Sequence, residues 1–110
     1  MVFRIKRELY DYGVVFSVNV NVNLIKNPAH IVKYTTLPRE LVDWFSKTGE
    51  YVYIGQDDGH WFISRCPVED SQKYKLNVKT CQIYLPTKFK EGVVKLDWNC
   101  GSDMVWVQTH

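Results

Sequence analysis

Residues Phe16–Leu24 read FSVNVNVNL, the most regular pattern in the chain. Every second residue is apolar, and the residues between are Ser or Asn. Successive side chains of a β-strand point to opposite faces, so a period of two places all the apolar side chains on one face. The stretch therefore predicts a strand with one buried face. The valines expected to be buried are Val18, Val20 and Val22. The amides Asn19 and Asn21 are expected to face solvent or a partner.

Further short strands are predicted on both sides of this stretch. Phe3–Lys6 alternates apolar and basic residues, which is typical of a strand or hairpin arm. Asn27-Pro28 is expected to end the central strand, because proline restricts the residue before it. Tyr51–Ile54 and Trp61–Ile63 flank the turn sequence QDDG, which predicts an antiparallel hairpin.

The second half of the chain continues the two-residue pattern. Apolar residues alternate with lysines in one segment, which predicts a strand that projects three lysines from one face: Lys73, Lys75 and Lys79. Val94, Leu96 and Trp98 alternate in another segment, and Met104–Gln108 follows as a last strand. We expect the chain to end in a hairpin.

One segment changes to the helical period. Within Thr35–Lys47 the apolar residues recur at i, i+3 and i+4: Leu41, Trp44 and Phe45. Pro38 suits the first turn of a helix, and Gly49 suits its termination. This segment is the one well-defined helix of the sequence.

The composition is that of one folded domain spanning residues 1–110. The chain is 45% hydrophobic, 15% aromatic and 24% charged, which excludes a disordered or low-complexity segment. The segments together predict an α+β, mainly β domain, a small antiparallel sheet or barrel-like structure. It is expected to have about seven or eight short strands and one or two short helices.

Residue patterns for membranes, metals and disulfides are missing from the sequence. No apolar run approaches the roughly 18 residues of a membrane helix, so we expect no membrane association and a cytoplasmic location. Cys66, Cys81 and Cys100 form no CxxC motif and are predicted to be free thiols, with no metal or cofactor.

The chain is predicted not to be an enzyme. It contains no Gly-rich phosphate loop, HExxH or GxSxG motif. Asp57-Asp58-Gly59-His60 places two carboxylates beside a histidine, but Asp-Asp-Gly between two aromatic strands is typical of a hairpin turn.

The charges are segregated along the chain. The net charge is −4 over residues 34–72 and +5 over residues 73–95, where six lysines accompany only Glu91. This basic segment indicates a surface for a polyanion. The alternative is a solvated strand face, which lysines keep from aggregating.

One part of the sequence resembles a known family. Lys33–Leu41 reads KYTTLPREL, and Gly49–Ile54 reads GEYVYI. This order of strand, Thr-Leu-Pro, helix, Gly-acid and hairpin resembles the swapped-hairpin repeat of AbrB and SpoVT-like transcription regulators, over about residues 31–65. Leu85-Pro86, in the stretch Ile83–Pro86, lies 48 residues after Leu37-Pro38 and belongs to a candidate second copy over residues 79–110.

The resemblance implies a DNA-binding regulator. Family members assemble as dimers by exchanging hairpins, so the chain is expected to be an internal pseudo-dimer or a homodimer. Basic residues that flank the Leu-Pro turn face DNA in this family. Together with the basic strand, the predicted nucleic-acid-binding residues are Lys33, Arg39, Lys73, Lys75, Lys79 and Lys88. Asp43 stands where a further basic residue is common in the family, and the acidic 34–72 segment opposes phosphate binding.

A second function remains open. The chain contains four Trp and seven Tyr, and these residue types are enriched at protein interaction hot spots. The alternative is therefore a phage or mobile-element accessory protein that binds and inhibits a host protein through an aromatic-rich surface.

Overall fold

The computed structural model describes residues 3–26, 29–99 and 101–108, and the side chains of residues 24–26, 29 and 30 lie outside the description. It contains one α-helix, α1 (Arg39–Ser46). The strands are β1 (Lys6–Tyr10), β2 (Gly13–Lys26), β3 (Ala29–Thr36), β4 (Tyr51–Asp57), β5 (His60–Ser64), β6 (Gln72–Asn77), β7 (Gln82–Leu85), β8 (Gly92–Asn99) and β9 (Met104–Gln108). The predicted mainly β domain is confirmed, although the described residues form nine strands rather than seven or eight and the first begins at Lys6 rather than Phe3.

The strands form a closed antiparallel barrel. The hydrogen-bonded order is β2-β3-β7-β6-β4-β5-β9-β8, and β8 pairs back onto β2, so eight strands complete the ring. β1 adds a ninth strand outside the ring and pairs with β2. Closure leaves the ring without the two edge strands that an open sheet would expose.

β2 extends beyond the barrel wall. Its first part, residues 13–20, pairs with β8, and its second part, residues 20–26, pairs with β3. β8 begins at Gly92 opposite Val20, so no barrel strand lies beside β2 past this point on that side. Val18 and Val20 are buried as predicted, but Val22 is 36% exposed. The predicted burial of Val22 is therefore wrong, because the wall that would cover it ends two residues earlier. Asn27-Pro28 lies outside the described residues.

The two ends of the barrel are closed in different ways. β3 leads into α1 at one end, and the buried residues Leu41, Val42 and Phe45 of α1 close it. β7 runs antiparallel to β3, so the connection from β7 to β8 lies at the opposite end. There Phe89, 1% exposed, packs with a ring-centroid distance of 5.0 Å against Trp61. We call these the helix end and the Phe89 end.

The helix is shorter than its periodicity predicts. It begins at Arg39, and Pro38 is the N-cap residue in an extended conformation. Thr35 belongs to β3, where its hydroxyl donates a 2.8 Å hydrogen bond to the Asn19 carbonyl. Pairing with β2 thus keeps this threonine in the sheet. Trp44 is half-buried rather than fully buried, since it lies at the margin of the helix and packs against Trp98.

The candidate second copy differs from the first in its connection. Residues 86–91 form a short turn that holds Phe89, and Gly92–Asn99 is a strand, where the first copy has a helix. A strand agrees with the low helix propensity of Gly-Val-Val.

The barrel order nevertheless treats the two halves alike. The first half is β2–β5 and the second half is β6–β9. Each strand of one half has the same neighbours in the ring as the corresponding strand of the other half, once the two halves are interchanged in the numbering. β2 pairs with β8 and β6 pairs with β4, so each half pairs its first strand with the second hairpin of the other half. If Leu37 is matched to Leu85, Thr35 matches Ile83, and these two residues lie directly opposite one another.

Two turns follow local chemistry. The predicted hairpin between β4 and β5 is confirmed, and Asp58 and Gly59 both adopt positive φ, at 51° and 79°. This is the conformation of a two-residue hairpin turn that matches strand twist. In contrast, the predicted lysine strand is shorter than expected: β6 ends at Asn77, and Lys79 lies in the following turn. The Asn77 Oδ1 accepts the Lys79 N–H at 3.1 Å and ends the strand there.

Gly13 offers a test of barrel closure. It pairs with Asn99 of β8, and an added Cβ would overlap the Trp98 carbonyl oxygen and lie 3.1 Å from the Asn99 Cα. We expect Gly13→Ala to lower the free energy of unfolding by about 1–3 kcal/mol, measured by urea denaturation. Gly101→Ala is the control, because its Cβ would meet nothing closer than 3.7 Å. Equal stability of the two variants would contradict this close approach of β2 and β8.

Candidate functional site

Two tyrosines lie side by side at the centre of one outer face of the barrel. Tyr34 of β3 is directly opposite Tyr84 of β7. The adjacent residues Thr35 and Ile83 are buried inside the barrel, so the tyrosines point outward. Tyr84 is 60% exposed, and Tyr34 is half-buried.

This pair belongs to a row that crosses several strands. Leu76 of β6 pairs with Ile83, which places the preceding Lys75 beside Tyr84. Lys75 in turn is opposite Tyr51 of β4. Lys73, two residues before Lys75, points to the same face, and its ammonium lies 4.0 Å from the centroid of the Tyr51 ring. We call this surface the tyrosine–lysine face, defined by Tyr34, Tyr51, Tyr84, Lys73 and Lys75.

A groove with a volume of about 590 Å³ covers the part of this face that contains Tyr34, Tyr84 and Lys75. Residues of five kinds line it: tyrosines, lysines, amides, one carboxylate and the aliphatic residues Leu76, Val78 and Ile83. The amides and the carboxylate are Asn23, Asn77, Gln82 and Glu50. Lys79 also lines the groove, at the side where the turn after β6 lies. The groove thus combines flat aromatic surfaces, positive charge and hydrogen-bonding amides.

Tyr74 does not contribute a stacking surface here. It packs against the buried core, and burial raises the pKa of its phenol. The phenol donates a 3.0 Å hydrogen bond to Gln72 Oε1. This agrees with the sequence pattern, in which Tyr74 alternates with the outward lysines.

The structure brings three of the predicted binding residues to this surface, and two of them, Lys75 and Lys79, line the groove. Lys73 and Lys75 lie on the tyrosine–lysine face, and Lys79 lies at its border. Each is exposed. The predicted basic strand is therefore a surface feature rather than a set of buried or paired cations.

Arg39 lies close to this border but is held by intramolecular contacts. Its Nη1 donates a 2.6 Å hydrogen bond to the Val78 carbonyl, and its Nε lies 3.1 Å from an Asp43 carboxylate oxygen. Contact with the Cys81 sulfur and attraction by Asp43 raise the pKa of the Arg39 guanidinium. These contacts link α1 to the turn after β6.

Lys33 and Lys88 lie away from the groove, at the Phe89 end. The Lys33 ammonium donates a hydrogen bond to the Phe89 carbonyl, and Lys88 is exposed in the same turn. The six predicted residues therefore do not form one surface. Four lie on or beside the groove, and two lie at the Phe89 end.

The three tyrosines of the face are not among the binding residues predicted from the sequence. A signal was present for one of them, because Tyr51-Val52-Tyr53-Ile54 alternates and the aliphatic residues are the buried set. This alternation places Tyr51 outside. Tyr34 and Tyr84 belong to strands far apart in sequence, and only the β3–β7 pairing brings them together.

The described part of the chain contains no cluster of three or more His, Cys, Asp or Glu side chains that could hold a metal ion. Cys66 and Cys81 are free, and Cys100 lies outside the described residues. Among residues 3–26, 29–99 and 101–108, no helix has the length and apolar character to span a membrane.

Comparison of the chain with protein-family models, with curated protein sequences and with solved structures found no match.

Proposed function

We propose that this protein binds nucleic acid through the tyrosine–lysine face. The observation that carries the proposal is the row of outward side chains in which Lys75 lies between Tyr84 and Tyr51, with Lys73 stacked on Tyr51. Lysines neutralise phosphates, and tyrosine rings stack on bases. A purely solvated strand face would not require exposed aromatic rings between its lysines.

The lysines of the face are not engaged in the ion pairs of the described residues. Among the described residues, the ion pairs join arginines to acids: Arg7–Glu40, Arg39–Asp43 and Arg65–Asp103. None of these pairs involves Lys73, Lys75 or Lys79. Lys75, Lys79 and the acidic Glu50 line the groove, so two positive side chains act there against one negative one. Lys73 adds a third positive charge on the face, outside the groove.

The resemblance to AbrB and SpoVT-like regulators stays a prediction. Strand pairing between the two halves of the barrel supports an internal repeat. The first strand of each half pairs with the second hairpin of the other half, as it would in two subunits that swap hairpins. A role in transcription regulation rests on this resemblance. The tyrosine–lysine face supports binding to nucleic acid independently of this resemblance.

Neutralising the lysines tests the proposed function. We expect the triple variant Lys73→Gln, Lys75→Gln, Lys79→Gln to bind nucleic acid more weakly. The slope of log K against log salt should decrease by about 2–3, because each lost phosphate contact removes about 0.7–0.9 from it. Fluorescence anisotropy across a salt series measures both quantities.

The matched control removes three lysines elsewhere: Lys6, Lys47 and Lys90. It has the same net charge as the triple variant and should retain the wild-type slope. If the two variants lose the same slope, only the overall charge matters and the face is not the site. If the wild-type protein binds no single-stranded or duplex nucleic acid at low salt, the proposed function is wrong.

A second candidate function is supported by a different surface. The β1–β2 hairpin exposes large apolar side chains, with Leu9 70% and Tyr12 75% exposed. This surface suits the alternative function, that of a phage or mobile-element accessory protein that binds a host protein. The affinity for such a partner would depend little on salt and strongly on these two side chains.

A further inference from the structure

We infer that the ligand of the tyrosine–lysine face is a single strand whose phosphates follow β6 and whose bases lie over Tyr84 and Tyr34 toward β2. This inference rests on the proposed function and specifies its ligand. It comes from an asymmetry of the face, in which the β6 side carries lysines and Glu50 and the β2 side carries uncharged amides.

The basic side follows one strand. Lys73 and Lys75 occupy alternate positions of β6, so they stand about 6.8 Å apart along it and point the same way. Lys79 continues the positive side of the groove beyond the end of β6. A phosphodiester backbone that runs parallel to β6 would meet these three ammonium groups in sequence.

The β2 side carries amides. Asn21 of β2 is directly opposite Tyr34, and its Oδ1 accepts a 2.6 Å hydrogen bond from Asn19 Nδ2. Asn23, two residues further along β2, lines the groove and makes no side-chain hydrogen bond within the described part of the chain. An amide both donates and accepts, which suits the edge of a base, whereas a phosphate offers only acceptors.

The tyrosines between the two sides favour a single strand over a duplex. In a duplex the faces of the bases are covered by their neighbours in the stack. A single strand can turn its bases outward onto aromatic side chains. Tyr84, the most exposed ring of the face, is available to such a base, while Tyr34 beside it forms the floor toward β2.

Removing the bases from the ligand tests this arrangement. The probes are a 12-nucleotide thymidine strand, an abasic strand of the same length and the corresponding 12-base-pair duplex. We expect Tyr84→Ala to weaken binding of the thymidine strand about tenfold and to leave the abasic strand unchanged, because stacking needs a base. Tyr84→Phe keeps the ring and should stay within about twofold of wild type. Lys75→Gln should weaken the thymidine and abasic strands equally.

The outcomes separate the inference from the proposed function. If wild-type protein binds the abasic strand or the duplex as tightly as the thymidine strand, the lysines hold phosphates but the inference of base stacking is wrong. The same conclusion follows if Tyr84→Ala weakens the abasic strand as much as the thymidine strand. If no probe binds, the proposed function itself fails. Circular dichroism of the Tyr84→Ala variant should match wild type, since its side chain is exposed.

A crosslinking experiment tests on which side of the face the bases lie. A 4-thiothymine base in the same 12-nucleotide strand forms photochemical crosslinks to the side chains it contacts. We expect crosslinks in peptides that contain Tyr84, Tyr34 or Asn23, identified by mass spectrometry. Crosslinks confined to β6 would place the bases over the lysines and overturn the proposed orientation.

Discussion

Val20→Asp should prevent the protein from folding. Val20 is 3% exposed and is the residue of β2 that pairs with both Thr35 of β3 and Gly92 of β8. An aspartate here would place an unpaired carboxylate among the core side chains, which costs several kcal/mol. A domain of this size has a free energy of unfolding of only about 5–15 kcal/mol. We expect loss of the cooperative thermal transition.

Val22→Asp is the matched control for this prediction. It makes the same substitution two residues further along the same face of β2, where the side chain is 36% exposed. We expect its melting transition to remain cooperative and close to that of the wild type. A cooperative transition in Val20→Asp, at the wild-type temperature, would show that β2 does not form the barrel wall as described.

Phe89→Ala should destabilise the protein by about 3–5 kcal/mol. Phe89 is 1% exposed although it lies in a turn, and its ring closes the Phe89 end of the barrel against Trp61. Truncation would leave a cavity at the mouth of the barrel, because the strands on either side are held by their own pairing and cannot collapse inward. Urea denaturation monitored by tryptophan fluorescence measures the loss.

The neighbouring Lys88 provides the control. It is exposed in the same turn, so Lys88→Ala should change the free energy of unfolding by no more than about 0.5 kcal/mol. A Phe89→Ala loss below about 1 kcal/mol would mean that this side chain does not close the barrel. The core would then rely on α1 at the helix end alone.

Part of the candidate site could be predicted from the sequence. The alternation of lysines with Tyr74 and Leu76 identifies an exposed basic strand, because a period of two separates the faces without any knowledge of neighbours. The same pattern could not show that Lys33 and Lys88 lie at the Phe89 end. Their position depends on which strands pair, and strand pairing is a contact between residues distant in sequence.

The error at Val22 has the same origin. Alternation assigns Val18, Val20 and Val22 to one face, and all three share it. Whether that face is buried depends on how far the partner strand extends, and β8 begins only at Gly92, opposite Val20. Helix length followed similar competition, since β2 keeps Thr35 in the sheet despite the helical spacing that follows it.

The local features of this protein follow from the amino-acid sequence: the strands, the turn at Asp58-Gly59 and the helix around Leu41. These depend on interactions between residues close in the chain, such as backbone preferences and side-chain alternation. The tertiary structure decided the closure of the barrel through β2 and β8, the burial of Phe89 and the meeting of Tyr34 with Tyr84. Each of these joins segments at least 28 residues apart, and the free energy that favours them comes from burying a common core, which no single segment can do alone.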